Sequence, residues 1–147
     1  MPADRLDLGL RFHHFGLAVP APEDAFRFLA ALGYSDGAAT FDPLQNVNVA
    51  LRHHPAMPDV EVVWPGEGRS PIDQLVRRGH MVYHLCYISN EPQASLNAMM
   101  ALGLDVLEVS PPTPARLFGG VLVSFHTVDR FGLIELIHGE PRPMDIR

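Results

Sequence analysis

Apolar side chains recur along the chain in two rhythms, and the rhythms switch in the same order twice. Residues 12–19 and 82–88 alternate and are rich in branched and aromatic side chains, which predicts a strand in each place. Helical spacing follows. Phe26, Leu29 and Leu32 form one stripe over 22–32, and Leu96, Met99 and Met100 form another over 91–102. Pro22 and Pro92 suit the first turns, Glu23 and Asp24 suit the positive end of the first helix, and Gly33 and Gly103 suit the left-handed position past a helix end. Three further strands are predicted after each helix: about 38–41, 47–53 and 59–64, then 105–109, 120–127 and 132–138.

The order is therefore βαβββ, twice. A shift of 70 residues lays His14 on His84, Pro22 on Pro92, and Ala31-Leu32-Gly33 on Ala101-Leu102-Gly103. With about four extra residues in the second copy, Val47–Leu51 then meets Val121–Phe125, and Val60-Glu61-Val62-Val63 meets Ile134-Glu135-Leu136-Ile137. Four blocks in one order with one insertion indicate a duplication. The fold expected is α+β: two βαβββ modules forming a cupped mixed sheet around one metal site. Module one covers about 12–64, a linker 65–80, and module two about 81–138, within one domain spanning 1–147. Ser70 is expected to cap a short linker helix with Pro71 at its first position, and Ser110–Pro114 to be a loop, since proline cannot donate a ladder hydrogen bond.

The repeat also singles out chemistry. Strand side chains point to one face at every second residue, so His14 shares a face with Gly16 and Ala18, and His84 with Cys86. Glu61 and Glu135 interrupt apolar strand runs, where a buried carboxylate needs a partner. Two histidines and two glutamates at repeat-related positions meet if the copies face each other. That donor set suits one divalent cation (Mg, Mn, Fe, Co, Ni or Zn not distinguished) with room for water or a chelating substrate. His13 is expected on the opposite face from His14, Tyr83 opposite His84, and His53 and His54 on the surface. His80, His126 and His138 lack the repeat phase.

Composition narrows the partners. Net charge is −6 over 147 residues, with no basic run, which argues against nucleic acid and anionic membrane surfaces. A small-molecule substrate is expected instead. Cys86, the only cysteine, excludes an intramolecular disulfide. Met1–Leu10 has no signal-peptide core, and no apolar run reaches the roughly 20 residues of a membrane span. A cytoplasmic homodimer is the expectation.

Five segments carry a family likeness: His14–Pro20, Gln45–Ala50, Arg69–Ile72, Tyr83–Cys86 and Gly132–Leu136. On these, the chain resembles the vicinal oxygen chelate superfamily of glyoxalases, bleomycin-resistance proteins and extradiol dioxygenases, and within it the methylmalonyl-CoA epimerases. The likeness spans about residues 12–138. It implies His14, Glu61, His84 and Glu135 as metal ligands, and Glu135 also as the catalytic proton-moving group. It also implies a second acid/base glutamate just before Gln45, where this chain has Leu44, which cannot carry a proton. Asp42, two residues away, would need a rearranged loop to replace it. The activity expected is proton movement beside the carbonyl of an acyl-thioester or similar substrate, in an isomerase, epimerase-like enzyme or lyase. A glyoxalase-type lyase, an extradiol-type dioxygenase and a non-enzymatic antibiotic-binding protein are the alternatives. A dioxygenase needs only two His and one carboxylate, so Glu61 argues against it.

Overall fold

A computed structural model describes residues 7–144. The charged N-terminal stretch that argued against a signal peptide falls largely on residues 1–6, outside the described residues. The elements run β1 (Arg11–Ala18), α1 (Glu23–Ala31), β2 (Ala39–Asp42), β3 (Val47–Arg52), β4 (Asp59–Pro65), α2 (Asp73–Arg77), β5 (Val82–Ser89), α3 (Pro92–Ala101), β6 (Val106–Pro114), β7 (Leu122–Val128) and β8 (Gly132–His138). A short 3-10 turn, Arg116–Phe118, links β6 to β7. The βαβββ order thus occurs twice, as the sequence pattern predicts.

All eight strands form one sheet in the order β2-β3-β4-β1-β5-β8-β7-β6. The modules meet edge to edge through the antiparallel β1–β5 pair, while β1–β4 and β5–β8 are parallel. The curled sheet therefore has a pseudo-twofold axis between β1 and β5. One face carries a core shared by both modules, including Val49, Val63, Cys86, Val123 and Ile137. The other face is covered twice: α1 buries Leu29 over Val62, and α3 buries Met99 over Ile134 and Leu136. Each helix ends as predicted, with Gly33 at φ +100° and Gly103 at φ +84°, conformations that disfavour a Cβ. Among the described residues, no helix is long and apolar enough to cross a membrane.

Two local expectations are corrected. The Ser110–Pro114 stretch is not a loop but the end of β6, pairing Thr113 with Val123 and Pro114 with Leu122. β6 is an edge strand, so one row of its N–H groups needs no partner, and register shifts between Glu108 and Thr113 absorb the prolines. Ser70 does not cap α2 with its hydroxyl. Asp73 reaches back instead, its Oδ2 accepting from the Ser70 N–H at 2.8 Å.

Candidate metal centre

The four predicted residues come together within one chain, at the middle of the shared face. The pairing explains why. In the register of β4, β1 and β5, Glu61 lies opposite Gly16, and Gly16 opposite His84. Across β5 and β8, Cys86 lies opposite Glu135. Gly16 leaves the space that the His84 ring occupies: a Cβ built at residue 16 would lie 1.9 Å from His84 Cε1. All four side chains are buried, His14 completely.

Their donor atoms converge. His14 Nε2 lies 3.3 Å from His84 Nε2, 3.4 Å from Glu61 Oε2 and 3.2 Å from Glu135 Oε1, and His84 Nε2 lies 3.1 Å from the same Glu135 oxygen. Donors bound to one cation at ~2.1 Å stand roughly 3.0 Å apart at octahedral cis positions and roughly 3.4 Å apart in a tetrahedron. Glu135 Oε1, though this close to two ring nitrogens, has no hydrogen bond to either, and the atom is fully buried. The four donor atoms thus gather around one point. Two carboxylates and two neutral imidazoles would exactly offset a dication, removing the penalty for burying unpaired charge. The residues fit a divalent metal.

The electrostatics of the protein alone agree with this crowding. Burial pushes the Glu61 carboxyl up and neighbouring Glu135 adds to that, while His14 opposes them. Burial acts on Glu135 in the same sense, but the His14 and His84 imidazoles, 3.2 and 3.1 Å from its Oε1, outweigh it and hold this carboxyl well below the usual range. Burial disfavours a charged His14, yet Glu61 and Glu135 raise its pKa on balance. Cys86 is fully buried, and that burial followed by the two glutamates pushes its thiol well up, so it is an inert neighbour.

Two neighbours expected on the far face are instead beside the quartet. In the β1–β5 pairing Phe12 meets Tyr87 and His14 meets Cys86, so His13 is an extra residue on β1. Gly16 meets His84 and Leu17 meets Val82, so Tyr83 is an extra residue on β5. Each is a β-bulge, and a bulge re-aims the side chain it inserts. The bulges are repeat mates, each immediately before a histidine. The His13 ring packs 5.0 Å from that of His14, and the Tyr83 ring 4.4 Å from that of His84. Burial, then His14, lowers the His13 pKa to about 4. Burial, then Glu61 and Glu135, raises the Tyr83 phenol well above its ordinary value.

A cavity of about 30 Å³ adjoins the quartet, lined by Glu61 and Glu135 together with Asp42, Gln45 and Tyr83. Asp42 needs no loop rearrangement to reach it. Its Oδ1 accepts from the N–H groups of Leu44 and Gln45 at 2.9 and 3.3 Å, and that turn buries Asp42 while leaving Leu44 66% exposed. Leu117 and Phe118 also line the cavity. Their turn is fastened at both ends: Arg116 Nη1 donates to Phe41 O, and the Arg142 N–H donates to Phe118 O. Small-molecule pockets commonly run to roughly 300–1,000 Å³, so the cavity is narrower here than a typical substrate site.

Three further histidines serve the framework. His54 ties its hairpin to the end of α1, contacting Leu32 O through Nε2 and accepting from the Ala56 and Met57 N–H groups. His126 and His138 flank the buried Ser124 hydroxyl at 2.9 and 2.8 Å on the helix-covered face.

Residues 13–125 match the family model described as the Glyoxalase/Bleomycin resistance protein/Dioxygenase superfamily, a range holding His14, Glu61 and His84 but ending before Glu135. Among solved structures, the chain is similar to a hypothetical protein from Bacillus halodurans C-125, with 18% identity over 92% of this chain and 99% of that one and a TM-score of 0.75. It is also similar to methylmalonyl-CoA epimerase from Mycobacterium tuberculosis, with 21% identity, 97% and 94% coverage and a TM-score of 0.70. Methylmalonyl-CoA epimerase from Streptomyces coelicolor, in complex with 2-nitronate-propionyl-CoA, aligns at 18% identity, 86% and 95% coverage and a TM-score of 0.67. At such identities the likeness speaks to the fold. No curated protein sequence matches the chain.

Proposed function

The chain belongs to the Glyoxalase/Bleomycin resistance protein/Dioxygenase superfamily, and from that premise we propose that it is a divalent-metal-dependent isomerase or lyase resembling methylmalonyl-CoA epimerase. It would move a proton on the carbon beside the carbonyl of an acyl-thioester or similar substrate. The observation that carries this reading is the convergence of four buried donors, His14, Glu61, His84 and Glu135, at mutual distances suited to one cation. When bound there, a divalent cation supplies Lewis-acid polarisation of a substrate oxygen and stabilises the negative charge that builds on it.

The chain's own residues do the rest. Glu135 stays ionised at neutral pH because its imidazole neighbours outweigh burial, so it can accept a proton from the substrate carbon. Leu44 points to solvent and has no proton to give. A second proton carrier, needed for inversion at carbon, would come from Asp42 or Tyr83, both on the wall of the same cavity. Leu117 and Phe118 would withdraw to admit a substrate and exclude water on return, with Gly119 and Gly120, both at positive φ, as the pivot.

Metal analysis of the purified protein, followed by titration with Co²⁺, Ni²⁺ and Zn²⁺, tests the centre. One equivalent bound in the wild type and none in His84→Ala is expected; a wild type that takes up no cation would sink the enzyme reading and favour a non-enzymatic binder. The reaction is tested by solvent deuterium entering (2R)- or (2S)-methylmalonyl-CoA. Exchange without inversion that is lost in Glu135→Gln would identify Glu135 as the lone base, inversion lost in Asp42→Asn or Tyr83→Phe would name the second carrier, and no exchange with either isomer would exclude this substrate.

A further inference from the structure

We propose that His13 is a positioning residue for the metal centre: it accepts a hydrogen bond from the Nδ1–H of His14 and so fixes that ring's orientation and tautomer. The inference rests on the metal reading above. Its own basis is a contact that reading does not use, with His13 Nδ1 lying 2.7 Å from His14 Nδ1. Two ring nitrogens at that distance share one hydrogen. His14 Nε2 points at Glu61, His84 and Glu135, so it must be bare of hydrogen to bind a cation. A neutral imidazole then carries its hydrogen on Nδ1. That hydrogen goes to His13 Nδ1, which must be bare, leaving His13 with its own hydrogen on Nε2.

The bulge makes the contact possible. On a regular strand residue 13 would point away from residue 14. The extra residue between the Phe12–Tyr87 and His14–Cys86 pairs turns His13 to the side of His14. Its ring is then braced edge-on against Phe118, at 5.4 Å between centroids. The other half of the site differs. Tyr83 occupies the matching bulge but gives His84 no hydrogen bond, and among the described residues the buried His84 Nδ1 has no partner. Of the two imidazoles, therefore, only His14 has its back nitrogen fixed by a side chain. Partners of this kind set the tautomer and basicity of metal-binding histidines, and losing one costs about 10–100-fold in affinity.

Two substitutions separate the hydrogen bond from simple packing. His13→Phe keeps a ring against Phe118 but offers no acceptor. His13→Asn loses the ring and keeps an oxygen near the Nδ1 position. Co²⁺ affinity by calorimetry, the visible Co²⁺ spectrum, and the hydrogen-bonded Nδ1–H signal of His14 in ¹⁵N spectra of the metal-free protein are read for all three proteins. The expected result is affinity lowered about 10–100-fold in His13→Phe and close to wild type in His13→Asn. The hydrogen-bonded Nδ1–H signal of His14 should be lost in the Phe variant and kept in the Asn variant. The reverse order, or no difference among the three, overturns the proposal. If the wild type binds no cation, the functional reading fails separately. The ¹⁵N spectra then decide on the hydrogen bond alone: loss of the bonded Nδ1–H signal in His13→Phe supports it and an unchanged signal overturns it.

Discussion

Gly16→Ala should dismantle the metal centre without touching any ligand. Residue 16 sits on β1 between Glu61 and His84, and a Cβ there would lie 1.9, 2.2 and 2.5 Å from three atoms of the His84 ring. Restoring an ordinary 3.4 Å contact requires about 1.5 Å of withdrawal, whereas a metal–ligand bond tolerates roughly ±0.2 Å. The ring has little room to step aside, since Tyr83, Phe125 and His14 pack around it at centroid distances of 4.4, 5.4 and 5.4 Å. Losing an outer-shell partner costs about 10–100-fold in affinity, or about 1.4–2.7 kcal/mol. Displacing a ligand should cost at least that.

The backbone does not resist the change. Gly16 is absent from the glycines at positive φ, and Ala in a strand gains roughly 0.5–1 kcal/mol over Gly from a less flexible unfolded chain. That gain partly offsets an overpacking cost of about 1–3 kcal/mol. The metal-free variant should therefore fold, with a melting temperature a few degrees below wild type. The assays are Co²⁺ calorimetry on wild type and Gly16→Ala, and a urea-unfolding cycle of the metal-free wild type, Gly16→Ala, His84→Ala and the double variant, since His84→Ala is expected to bind no cation. If Gly16 acts through His84, the alanine at 16 has little further effect once the ring is gone, and the cycle is strongly non-additive. Wild-type affinity in a folded Gly16→Ala protein, or additive losses in the cycle, would refute the reasoning.

Other perturbations read separate parts of the molecule. Glu135→Gln should cut solvent deuterium exchange into a thioester substrate by about 10²–10⁴-fold, measured at saturating metal so that weaker binding does not mimic lost proton transfer. Leu136→Ala, at a fully buried position under α3, should cost about 2–5 kcal/mol in urea unfolding. Burial lowers the pKa of His126 and His138, so these rings contribute stability that is fully present above their unfolded value of about 6.5 and is lost as pH falls below it. Melting temperature should drop from pH 7 to pH 5, and the drop should shrink in His126→Gln/His138→Gln; an unchanged drop would place the acid sensitivity elsewhere. A homodimer is expected in sedimentation experiments at micromolar concentration, with Phe28, Met81 and Val82, all more than half exposed along one apolar groove, as the first residues to test by substitution with lysine.

Pattern and repeat register carried most of the architecture, and the reason is physical. Strand alternation and helix periodicity are set by residues near in sequence, so the double βαβββ order is written locally. The 70-residue spacing of His14 and His84 then marks equivalent places in two equivalent frames. Edge status is different. Whether Ser110–Pro114 pairs depends on β6 having a neighbour on only one side, a property of the finished sheet. Likewise Asp42 reaches the cavity because the N–H groups of Leu44 and Gln45 fold back onto its carboxylate, a turn that a count of positions relative to Gln45 does not register.

The bulges are the most instructive departure, because they change function rather than shape. An alternation argument assumes that every residue advances the strand by one pair. At His13 and Tyr83 the chain inserts a residue that does not, and each side chain changes face. The inserted residue acts on the ligand that follows it: His13 at hydrogen-bond distance from His14, Tyr83 against His84 and on the cavity wall. The duplication thus repeats more than its ligands. It repeats the distortion that gives each ligand a neighbour, and the two copies use that place differently, one as a hydrogen-bond acceptor behind the site and one as a phenol facing into it. Divergence at residues 13 and 83 is where a symmetric cup becomes an asymmetric site, and a chemistry that takes a proton from one side of a carbon needs that asymmetry.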